Sequence, residues 1–361
     1  MKLLIFPHLV HKEIFENMKI SDLVLLSFVS ENMKKRIKSS QITRFKSISH
    51  IEYGTYDYPR RVYFPYQNHG IYRGILDNIM EFKERSDNET DNEFFRVNVA
   101  GKIMNFRLSY EHDCPAVYFH PSEKESAIES IHNYFLDFFD NTVEYQWYQW
   151  ITDDEDSIPN FHQLALSISF DSKKYGRRDV ESLEKFFASS PVIKRVDMQL
   201  DTSYLFRPES KFYQVESVHL KLYSHAVPTF LRHFQGRQAF LSCYYKWNIL
   251  DLIEFMHRWK SGEECRKLEY LKMELSINEI PQDQILNALG VKHIDESNTP
   301  PTHELPLAFW SGFDPNTDPI VSHSYVVRNT DNRVASVSIQ NNWFCFGVWK
   351  ETEQEFLRMV T

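Results

Sequence analysis

The first tenth of the chain, residues 5–37, places three short apolar segments in succession without a glycine between them, and this most restricts how the chain can fold. Pro7 predicts the start of a first helix, because proline has a preset φ and lacks an N–H that a helix start does not need. Ser21 and Ser30 are predicted N-caps of a second helix, over 23–29, and of a third helix. The unit has more apolar side chains than it can bury internally, so the rest of the chain or another protein must cover the excess.

The apolar positions of these helices follow helical spacing. In the first helix, Val10, Ile14 and Met18 recur every four residues and form one stripe, with Leu9 and Phe15 beside it. In the third helix the sequence predicts two inward-facing apolar residues and a solvated basic face. The inward residues are Met33 and Ile37, and the basic ones are Lys34, Lys35, Arg36 and Lys38.

This segment resembles the F-box, the group of three helices by which substrate receptors attach to the Skp adaptor of a cullin ubiquitin ligase. Phe6-Pro7 stands where the family has Leu-Pro, and Asn32-Met33 stands where many members have a tryptophan. The resemblance implies adaptor contacts at the matching or flanking positions Phe6, Pro7, Leu9, Val10, Ile14, Met18, Leu23, Leu26 and Val29. The alternative is a helical hairpin that packs only on its own body.

Length and composition limit the possible classes of protein. The 361 residues suffice for two or three domains, and the net charge of -9 argues against a nucleic-acid surface. Only 10 glycines argue against a glycine-rich phosphate loop. We find no apolar run long enough to cross a membrane and no secretion signal, so we expect an intracellular protein, cytoplasmic or nuclear. The unpaired spacing of the cysteines predicts reduced thiols at Cys114, Cys243, Cys265 and Cys345.

Residues 45–150 read as a β-rich linker module with one helix. Two strand-like runs flank Ala100-Gly101 and predict a hairpin. Helical spacing from Glu123 to Phe139 predicts the helix. The acidic stretch Asp153–Asp156 suggests an exposed boundary before a third region, 151–361.

The third region contains a repeated pattern in which an apolar residue is followed by others at +3, +5 and +7. Alternation predicts strands at these segments, and stretches 180–188 and 249–259 predict helices between them. We therefore expect a mixed α/β fold in which an irregular strand-helix solenoid, similar to leucine-rich repeats, is closed by C-terminal antiparallel strands. The segments begin at Phe161, Ile193, Val215 and Leu268, and a weaker one contains Ala239, Leu241, Cys243 and Tyr245.

The same region resembles the F-box-associated domain of the large nematode F-box families. The first match is a helix, a tryptophan and a following strand, at Leu252, Phe255, Trp259, Leu268, Glu269 and Leu271. The second match is the family's closing strands, at Arg328, Asp331, Ala335, Ser336 and Trp349, with Asn332 replacing a turn glycine. The resemblances imply an F-box at 1–44 and an F-box-associated repeat-like domain at 151–361.

The familiar signatures of enzymes are missing from the sequence: there is no GxSxG, HExxH or GxxxxGK[ST] motif. The histidines have no metal-ligand spacing, and the aromatic residues 145–150 suit core packing or an interface. We therefore expect no catalytic residue, metal or cofactor.

The expected function is that of a substrate-recognition adaptor of a Skp/cullin/F-box ubiquitin ligase, which binds the Skp-type adaptor and cullin complex and an unknown protein substrate. We expect neither nucleic acid nor a membrane as partner. The alternatives are a leucine-rich-like interaction scaffold with no role in ubiquitin ligation, and an unrecognised hydrolase with polar residues converging in one cleft.

Overall fold

The computed structural model describes residues 6–48, 50–54, 60–64, 77–86, 94–139, 143–151, 164–170, 177–189, 193–199, 206–245, 248–276, 280–307 and 316–361. The chain divides into two compact units. Unit 1 comprises Met1–Trp150 with Ser157–Ala165, and unit 2 comprises Ile151–Asp156 with Leu166–Thr361. The predicted boundary stretch Asp153–Asp156 lies outside the described residues.

Residues 6–48 form four helices: α1 (His8–Glu16), α2 (Ile20–Ser27), α3 (Glu31–Ser40) and α4 (Ile42–Lys46). Pro7 stands at the N-cap position of α1, which confirms the predicted helix start. The Ser30 hydroxyl accepts a hydrogen bond from the Met33 N–H at 3.2 Å, which confirms the predicted cap of α3. The prediction for Ser21 was wrong. This serine lies buried in the first turn of α2, because the buried Ile20 begins the helix and Lys19 becomes the N-cap residue.

The inward face of α3 is larger than predicted. Met33 and Ile37 are buried, as expected. Lys34 was predicted to lie in water, and this was wrong: its side chain is buried and pairs with Asp137. The stem of a lysine can be buried when its ammonium finds a carboxylate, and the partner lies too far along the chain to be visible in a local pattern.

In the described residues, unit 1 continues into a sheet in which its strands follow the order β7-β1-β2-β3-β6-β5-β4. The β1/β7 and β3/β6 pairs are parallel and the other neighbouring pairs are antiparallel. The strands are β1 (His50–Gly54), β2 (Arg60–Phe64), β3 (Asp77–Glu84), β4 (Phe95–Val99), β5 (Lys102–Leu108), β6 (Pro115–Phe119) and β7 (Glu144–Ile151). Helix α5 (Lys124–Phe139) follows a short 3₁₀ turn and confirms the predicted helix.

The predicted hairpin is confirmed as β4 and β5. Ala100 and Gly101 form its turn with φ angles of 52° and 91°, the left-handed conformation that a two-residue hairpin turn requires. The Asn98 side chain accepts a hydrogen bond from the Gly101 N–H at 2.9 Å. This turn fixes the pairing of β4 with β5, so that Phe95 lies opposite Phe106.

Unit 2 contains the strand order β13-β16-β17-β18-β12-β11-β10-β9-β8, and β8 to β12 are parallel and follow one another in chain order. Its strands are β8 (Leu164–Phe170), β9 (Arg195–Gln199), β10 (Ser217–Tyr223), β11 (Gln238–Tyr244), β12 (Tyr270–Glu274), β13 (Lys292–His293), β14 (Thr302–His303), β15 (Ile320–Val321), β16 (Ser324–Val327), β17 (Arg333–Gln340) and β18 (Trp343–Thr352). Its helices are α6 (Arg177–Ser189), α7 (Val227–His233), α8 (Ile249–Ser261), α9 (Gln282–Leu289) and α10 (Glu353–Arg358). Helices α6 and α8 confirm the predicted ones.

The repeated apolar positions of the sequence meet in the sheet of unit 2. One ladder of adjacent residues runs through Val196, Val218, Ala239 and Leu271, all of which are buried. The segment that begins at Phe161 is shifted by two residues relative to the other segments. Its +5 position, Leu166, pairs with Val196, which is the +3 position of the next segment. Phe161 itself lies outside the described residues. The parallel order fits strand-helix repeats, and the solenoid stays a prediction.

The C-terminal strands β16, β17 and β18 pair antiparallel, and β18 continues the parallel strands through β12. Asn332 occupies the β16–β17 turn with φ of 57°, the conformation for which asparagine is the best substitute for glycine. Arg328 donates two hydrogen bonds to Asp331, at 2.8 and 2.6 Å, and closes that turn. The Trp349 indole donates to the Ser336 hydroxyl at 2.9 Å, which satisfies a buried polar group.

Candidate functional site

The helices at the start of unit 1 expose a set of large apolar side chains. Leu9 is 77% exposed and Val29 is 71% exposed, and both are aliphatic. Phe6 and Val10 are also exposed, and so is Pro7 between them. Apolar side chains exposed as a cluster, and not singly, are typical of protein-binding surfaces. We call Phe6, Leu9, Val10 and Val29 the helix patch.

Two contacts fix how these residues are arranged. Arg36 of α3 contacts His11 of α1 at 3.1 Å, and Arg44 of α4 donates to the backbone oxygen of Met18 at 2.9 Å. The chain from α3 to α4 therefore runs beside α1 in the same direction. The start of α1 and the start of α3 lie at the same end of the helix group, which places Leu9 and Val29 at that end.

The remaining predicted contact residues are less exposed. Ile14, Met18 and Leu26 are half-buried, and Leu23 is fully buried. The nine predicted positions therefore do not form one uniform surface. Leu23 supports the helix group from inside, whereas the helix patch is free to meet another molecule.

The opposite side of the helix group packs against the sheet and α5 of unit 1 through aromatic rings. The Phe28 ring lies 4.6 Å from that of Tyr134 and 5.5 Å from that of Phe106, measured between ring centroids. The Phe45 ring lies 5.2 Å from that of Phe138. Tilted aromatic pairs at these distances add to the free energy gained by burying their area. The helix group is thus held by the body of unit 1.

Polar contacts accompany this packing. The Ser27 hydroxyl donates to the Val24 carbonyl at 2.6 Å and lies 2.7 Å from the Tyr134 hydroxyl, which is therefore placed to donate to it. The Lys34 ammonium lies 4.1 Å above the centre of the Tyr134 ring and pairs with Asp137. Burial raises the pKa of Tyr134. The hydrogen bond and charge of Lys34 hold the pKa of Asp137 below its ordinary value.

A further ion pair joins the start of α2 to the body. Lys19 donates to Asp113, which belongs to the turn between β5 and β6. Both side chains are largely exposed, so water and salt screen this pair and it contributes little to stability. The pair nevertheless shows that the β5–β6 turn lies beside the start of α2.

Sequence reasoning missed Phe28 as the residue that joins the two halves of unit 1. It follows the last residue of α2 and stands between the exposed Val29 and the buried Ser27. The available signal was the near-continuous apolar run in and around α2, which exceeds what one helix face needs.

A second candidate surface is the face of the parallel strands in unit 2 opposite to the buried ladder. Strand alternation places half-exposed charged and aromatic side chains there. Asp197 and His219 pair across adjacent strands at 3.2 Å. Burial raises the pKa of Asp197, but the hydrogen bond and charge of His219 outweigh it and hold that pKa below its ordinary value. Further side chains of this face are Lys221, Phe240, Ser242, Lys272 and Glu274.

The described histidines and cysteines do not converge on one site. In the part of the chain that the structure describes, no three His, Cys, Asp or Glu side chains form a group that could hold a metal ion. The cysteines are free thiols, and burial raises the pKa of Cys243 to about 12 and that of Cys345 to about 11. Thiols with raised pKa values are poor nucleophiles at neutral pH.

The aromatic residues of 145–150 belong in part to the core, one of the two roles expected for them. Tyr145 and Trp147 of β7 are buried, and their rings lie 6.5 and 6.0 Å from the ring of Tyr53. The side chains of 148–150 lie outside the described residues. Among the helices described, none is long and apolar enough to cross a membrane.

A comparison with protein families matches residues 3–45 to the F-box domain. The matched segment contains α1, α2 and α3 and all but the last residue of α4. An F-box domain indicates a Skp-type adaptor as binding partner, so the helix patch belongs to a domain whose general role is to bind such an adaptor. Neither the curated proteins nor the solved structures include one that matches this chain.

Proposed function

We propose that this chain is a substrate-recognition adaptor of a Skp/cullin/F-box ubiquitin ligase. The helix patch binds the Skp-type adaptor, the adaptor links the chain to the cullin complex, and unit 2 holds a protein substrate. The chain itself is not an enzyme and acts inside the cell. It accelerates ubiquitin transfer by raising the effective concentration of substrate lysines near the charged enzyme.

The observation that carries this proposal is the division of the F-box helices into an anchored face and an exposed face. Phe28, Phe45 and Lys34 attach one face to the body, and the other face exposes Leu9 and Val29 to solvent. A helical cap that served only its own body would bury its large aliphatic side chains. An adaptor-binding domain needs apolar side chains that stay exposed until the partner arrives.

The proposal for unit 2 rests on its parallel strands and on the face that carries Asp197, His219 and Phe240. A leucine-rich-like body buries the repeated aliphatic residues on one side and presents the other side of its strands to a partner. Charged and aromatic side chains on that side suit a protein surface, because such residues supply both orientation and buried area.

The test uses point substitutions and not removal of the F-box. Deletion of residues 1–44 would uncover Tyr134 and Phe106, because it removes Phe28, whose ring packs on both of theirs. The truncated chain would then lose stability whether or not it binds an adaptor. Substitutions at exposed positions avoid this ambiguity.

The experiment measures binding of a purified Skp adaptor to the full chain by titration calorimetry. We compare the wild type with a Leu9→Asp, Val29→Asp double variant and with Leu250→Asp, a control at an exposed leucine of α8 in unit 2. We expect binding to the wild type and the control, and affinity at least about a hundredfold lower for the double variant, because two charges would enter an apolar interface. Failure of the wild type to bind, or equal loss in the control, would contradict the proposal.

A second measurement distinguishes the proposed role of this chain in a ubiquitin ligase from that of an interaction scaffold with no such role. The full chain, the Skp adaptor and a cullin are mixed and resolved by size-exclusion chromatography. If the proposal is right, the wild-type chain co-elutes with the Skp adaptor and the cullin. The Leu9→Asp, Val29→Asp variant then elutes alone, although its melting temperature equals that of the wild type. If partners captured by the wild type from cells never include the adaptor or a cullin, the scaffold is the better assignment.

A further inference from the structure

A short ribbon of chain lies against the sheet of unit 2. Strands β14 and β15 pair antiparallel, and two hydrogen bonds continue the pairing beyond them. The Leu305 N–H donates to the Thr317 hydroxyl at 3.0 Å, and the Thr317 N–H donates to the Leu305 carbonyl at 2.7 Å. We call residues 302–306 together with 316–321 the ribbon. Its side chains alternate between a buried side, with His303, Thr317 and Ile320, and an exposed side, with Thr302, Glu304 and Val321.

The ribbon covers part of the strand face that carries Phe240. Gln238 of β11 and Tyr270 of β12 are direct neighbours, and strand alternation puts both side chains on the face of Phe240. Gln238 donates to the Pro306 carbonyl at 2.8 Å. The Tyr270 ring stacks on that of His303, with the ring centroids 6.4 Å apart. Gln238 and Tyr270 are therefore buried, whereas Phe240, whose ring lies 5.2 Å from that of Tyr270, is only half-buried.

His303 attaches the ribbon through a neutral ring. Its Nε2 lies 3.1 Å from the Val348 carbonyl, which can only accept, so Nε2 carries the proton of the neutral ring and donates it. Its other nitrogen, Nδ1, lies against Gly347, where an added Cβ would be 2.6 Å from it. Among the described residues, none completes a hydrogen bond with Nδ1. The residue is only 3% exposed, so this site suits a neutral ring and offers no placed partner for a second proton.

A second proton on His303 would put a positive charge into this buried site. Burial holds the pKa of His303 below its ordinary value. Backbone carbonyls and the carboxylates of Glu269 and Glu351 favour the charged ring, but they do not outweigh burial. Because the lowered pKa belongs to the closed ribbon, the contribution of this ring to closure is complete above the ordinary pKa of histidine and is lost as the pH falls.

The other ionisable groups described beside the ribbon differ from His303. Burial raises the pKa of Tyr270, so its phenol stays neutral near neutral pH. Lys272 of β12 pairs with Asp318 of the ribbon, and the Asp318 side chain is 57% exposed, so water screens this pair. Glu304 lies on the exposed side of the ribbon. His303 is thus the buried ring whose charge state is coupled to closure.

We infer that the ribbon is a pH-sensitive cover of the strand face, which is closed while His303 is neutral and opens when the ring is protonated. Opening lets the charged ring reach water and removes the cost of burying it. It also uncovers Tyr270 beside Phe240, and such paired aromatic rings are typical of binding hot spots. This inference goes beyond the proposed function, because the cover opens in the same way whatever the strand face binds.

The size of the effect follows from the histidine. An open ribbon exposes a ring with a pKa of about 6.5, and the closed ribbon excludes the charged form. Lowering the pH from about 7.5 to about 5.5 should therefore raise the open fraction about tenfold. The test is hydrogen exchange of the full chain at both pH values, read by mass spectrometry and corrected for the intrinsic pH dependence of exchange. Peptides of the ribbon should lose about tenfold in protection, and peptides of β10 should not.

Three variants assign the effect to the ring. His303→Gln keeps a side-chain N–H for the Val348 carbonyl but takes up no second proton, so its ribbon should be equally protected at both pH values. His323→Gln, at a half-buried histidine next to the ribbon, is the control and should keep the wild-type change. Gly347→Ala should open the ribbon already at the higher pH, because its Cβ would collide with Nδ1.

Three results would overturn the inference. The first is a wild-type ribbon whose protection, relative to β10, is the same at both pH values. The second is a His303→Gln ribbon that still loses protection on acidification, and the third is loss of the pH effect in His323→Gln alone. If His303→Gln does not fold, the wild-type comparison and Gly347→Ala decide, and an equally protected ribbon in Gly347→Ala rejects the proposed role of the ring.

Discussion

Leu9 and Leu23 offer a matched pair of substitutions, because the same change at the two positions should affect different properties. Leu23 of α2 is 0% exposed, whereas Leu9 of α1 is 77% exposed. Both were predicted as adaptor contacts on equal terms. The structure places Leu23 in the core of unit 1 and leaves Leu9 exposed, on the surface that we propose as the adaptor-binding one.

The magnitudes follow from the buried fraction. Truncation of leucine to alanine removes three carbon groups, worth about 2.4 kcal/mol at ~0.8 kcal/mol each when they are fully buried, and the remaining cavity raises the loss to about 3 kcal/mol. At Leu9 only about a quarter of that transfer free energy is at stake, or about 0.5 kcal/mol. We therefore expect Leu23→Ala to lower the free energy of unfolding of unit 1 about six times as much as Leu9→Ala.

The assay follows hydrogen exchange of peptides from residues 6–48 as a function of urea, read by mass spectrometry, so that unit 1 is observed separately from unit 2. Binding of the Skp adaptor is measured on the same samples under native conditions. Leu9→Ala should weaken binding about tenfold with little change in the unfolding midpoint. The reasoning is refuted if Leu23→Ala leaves the midpoint unchanged, or if Leu9→Ala costs more than about 1 kcal/mol of stability.

Three further results are expected. Ser30→Ala should destabilise the helix group by about 1 kcal/mol through loss of the α3 cap, and a change below about 0.3 kcal/mol in the same exchange experiment would contradict this. Lys34 lowers the pKa of Asp137 in the folded state, so their pairing stabilises unit 1 at pH values above the ordinary pKa of an aspartate, and this contribution is lost as the pH falls through the lowered pKa. Lys34→Met should therefore flatten the acid side of a plot of unfolding free energy against pH. An unaltered slope between about pH 5 and pH 2 would refute this. Gly262→Ala should lower the melting temperature of unit 2 more than Gly290→Ala does. Both glycines have positive φ, but only at Gly262 would the added Cβ lie 2.5 Å from the Thr330 hydroxyl. Equal losses of melting temperature would show that the backbone conformation alone matters.

Local patterns predicted many elements of the fold correctly. Pro7 and Ser30 marked helix starts, Ala100-Gly101 marked the hairpin turn, and the spacing of apolar residues located α5. These features depend on residues that are neighbours in the chain, so their physical chemistry is visible in the sequence. The repeated segments of unit 2 likewise meet in the sheet, because the alternation of a strand fixes which side chains share a face.

The errors arose where distant residues decide the outcome. Lys34 was assigned to water because it lies in a basic run, but Tyr134 and Asp137, a hundred residues later, provide the ring and the carboxylate that bury it. Ser21 was assigned as a cap because serine favours that position, but burial of Ile20 begins the helix earlier. In both cases tertiary packing outweighs a local preference of about 1 kcal/mol or less.

The sequence predicted which segment of the chain carries the candidate surface, but not which of its apolar side chains are exposed there. A leucine at position 9 and a leucine at position 23 carry the same hydrophobic signal, and no local rule distinguishes a side chain buried by its own body from one buried by a partner. The β4–β5 hairpin did leave a usable signal. The Ala100-Gly101 turn fixes Phe95 opposite Phe106, so the sequence already places two aromatic residues on one face of the hairpin, and Leu108 follows on the same face.

Anchoring of the F-box helices has a consequence for how tightly they can bind. A flexible helix group would lose conformational freedom when its exposed face meets a partner, and that loss would weaken the complex. Here Phe28, Phe45 and Lys34 already hold the group against α5 and the sheet, so the arrangement of Leu9 and Val29 is set before binding. Substitutions on the anchored face should therefore weaken adaptor binding even though their side chains never touch the adaptor. This argues that a loss of binding identifies a contact residue only when the stability of unit 1 is measured in the same variant.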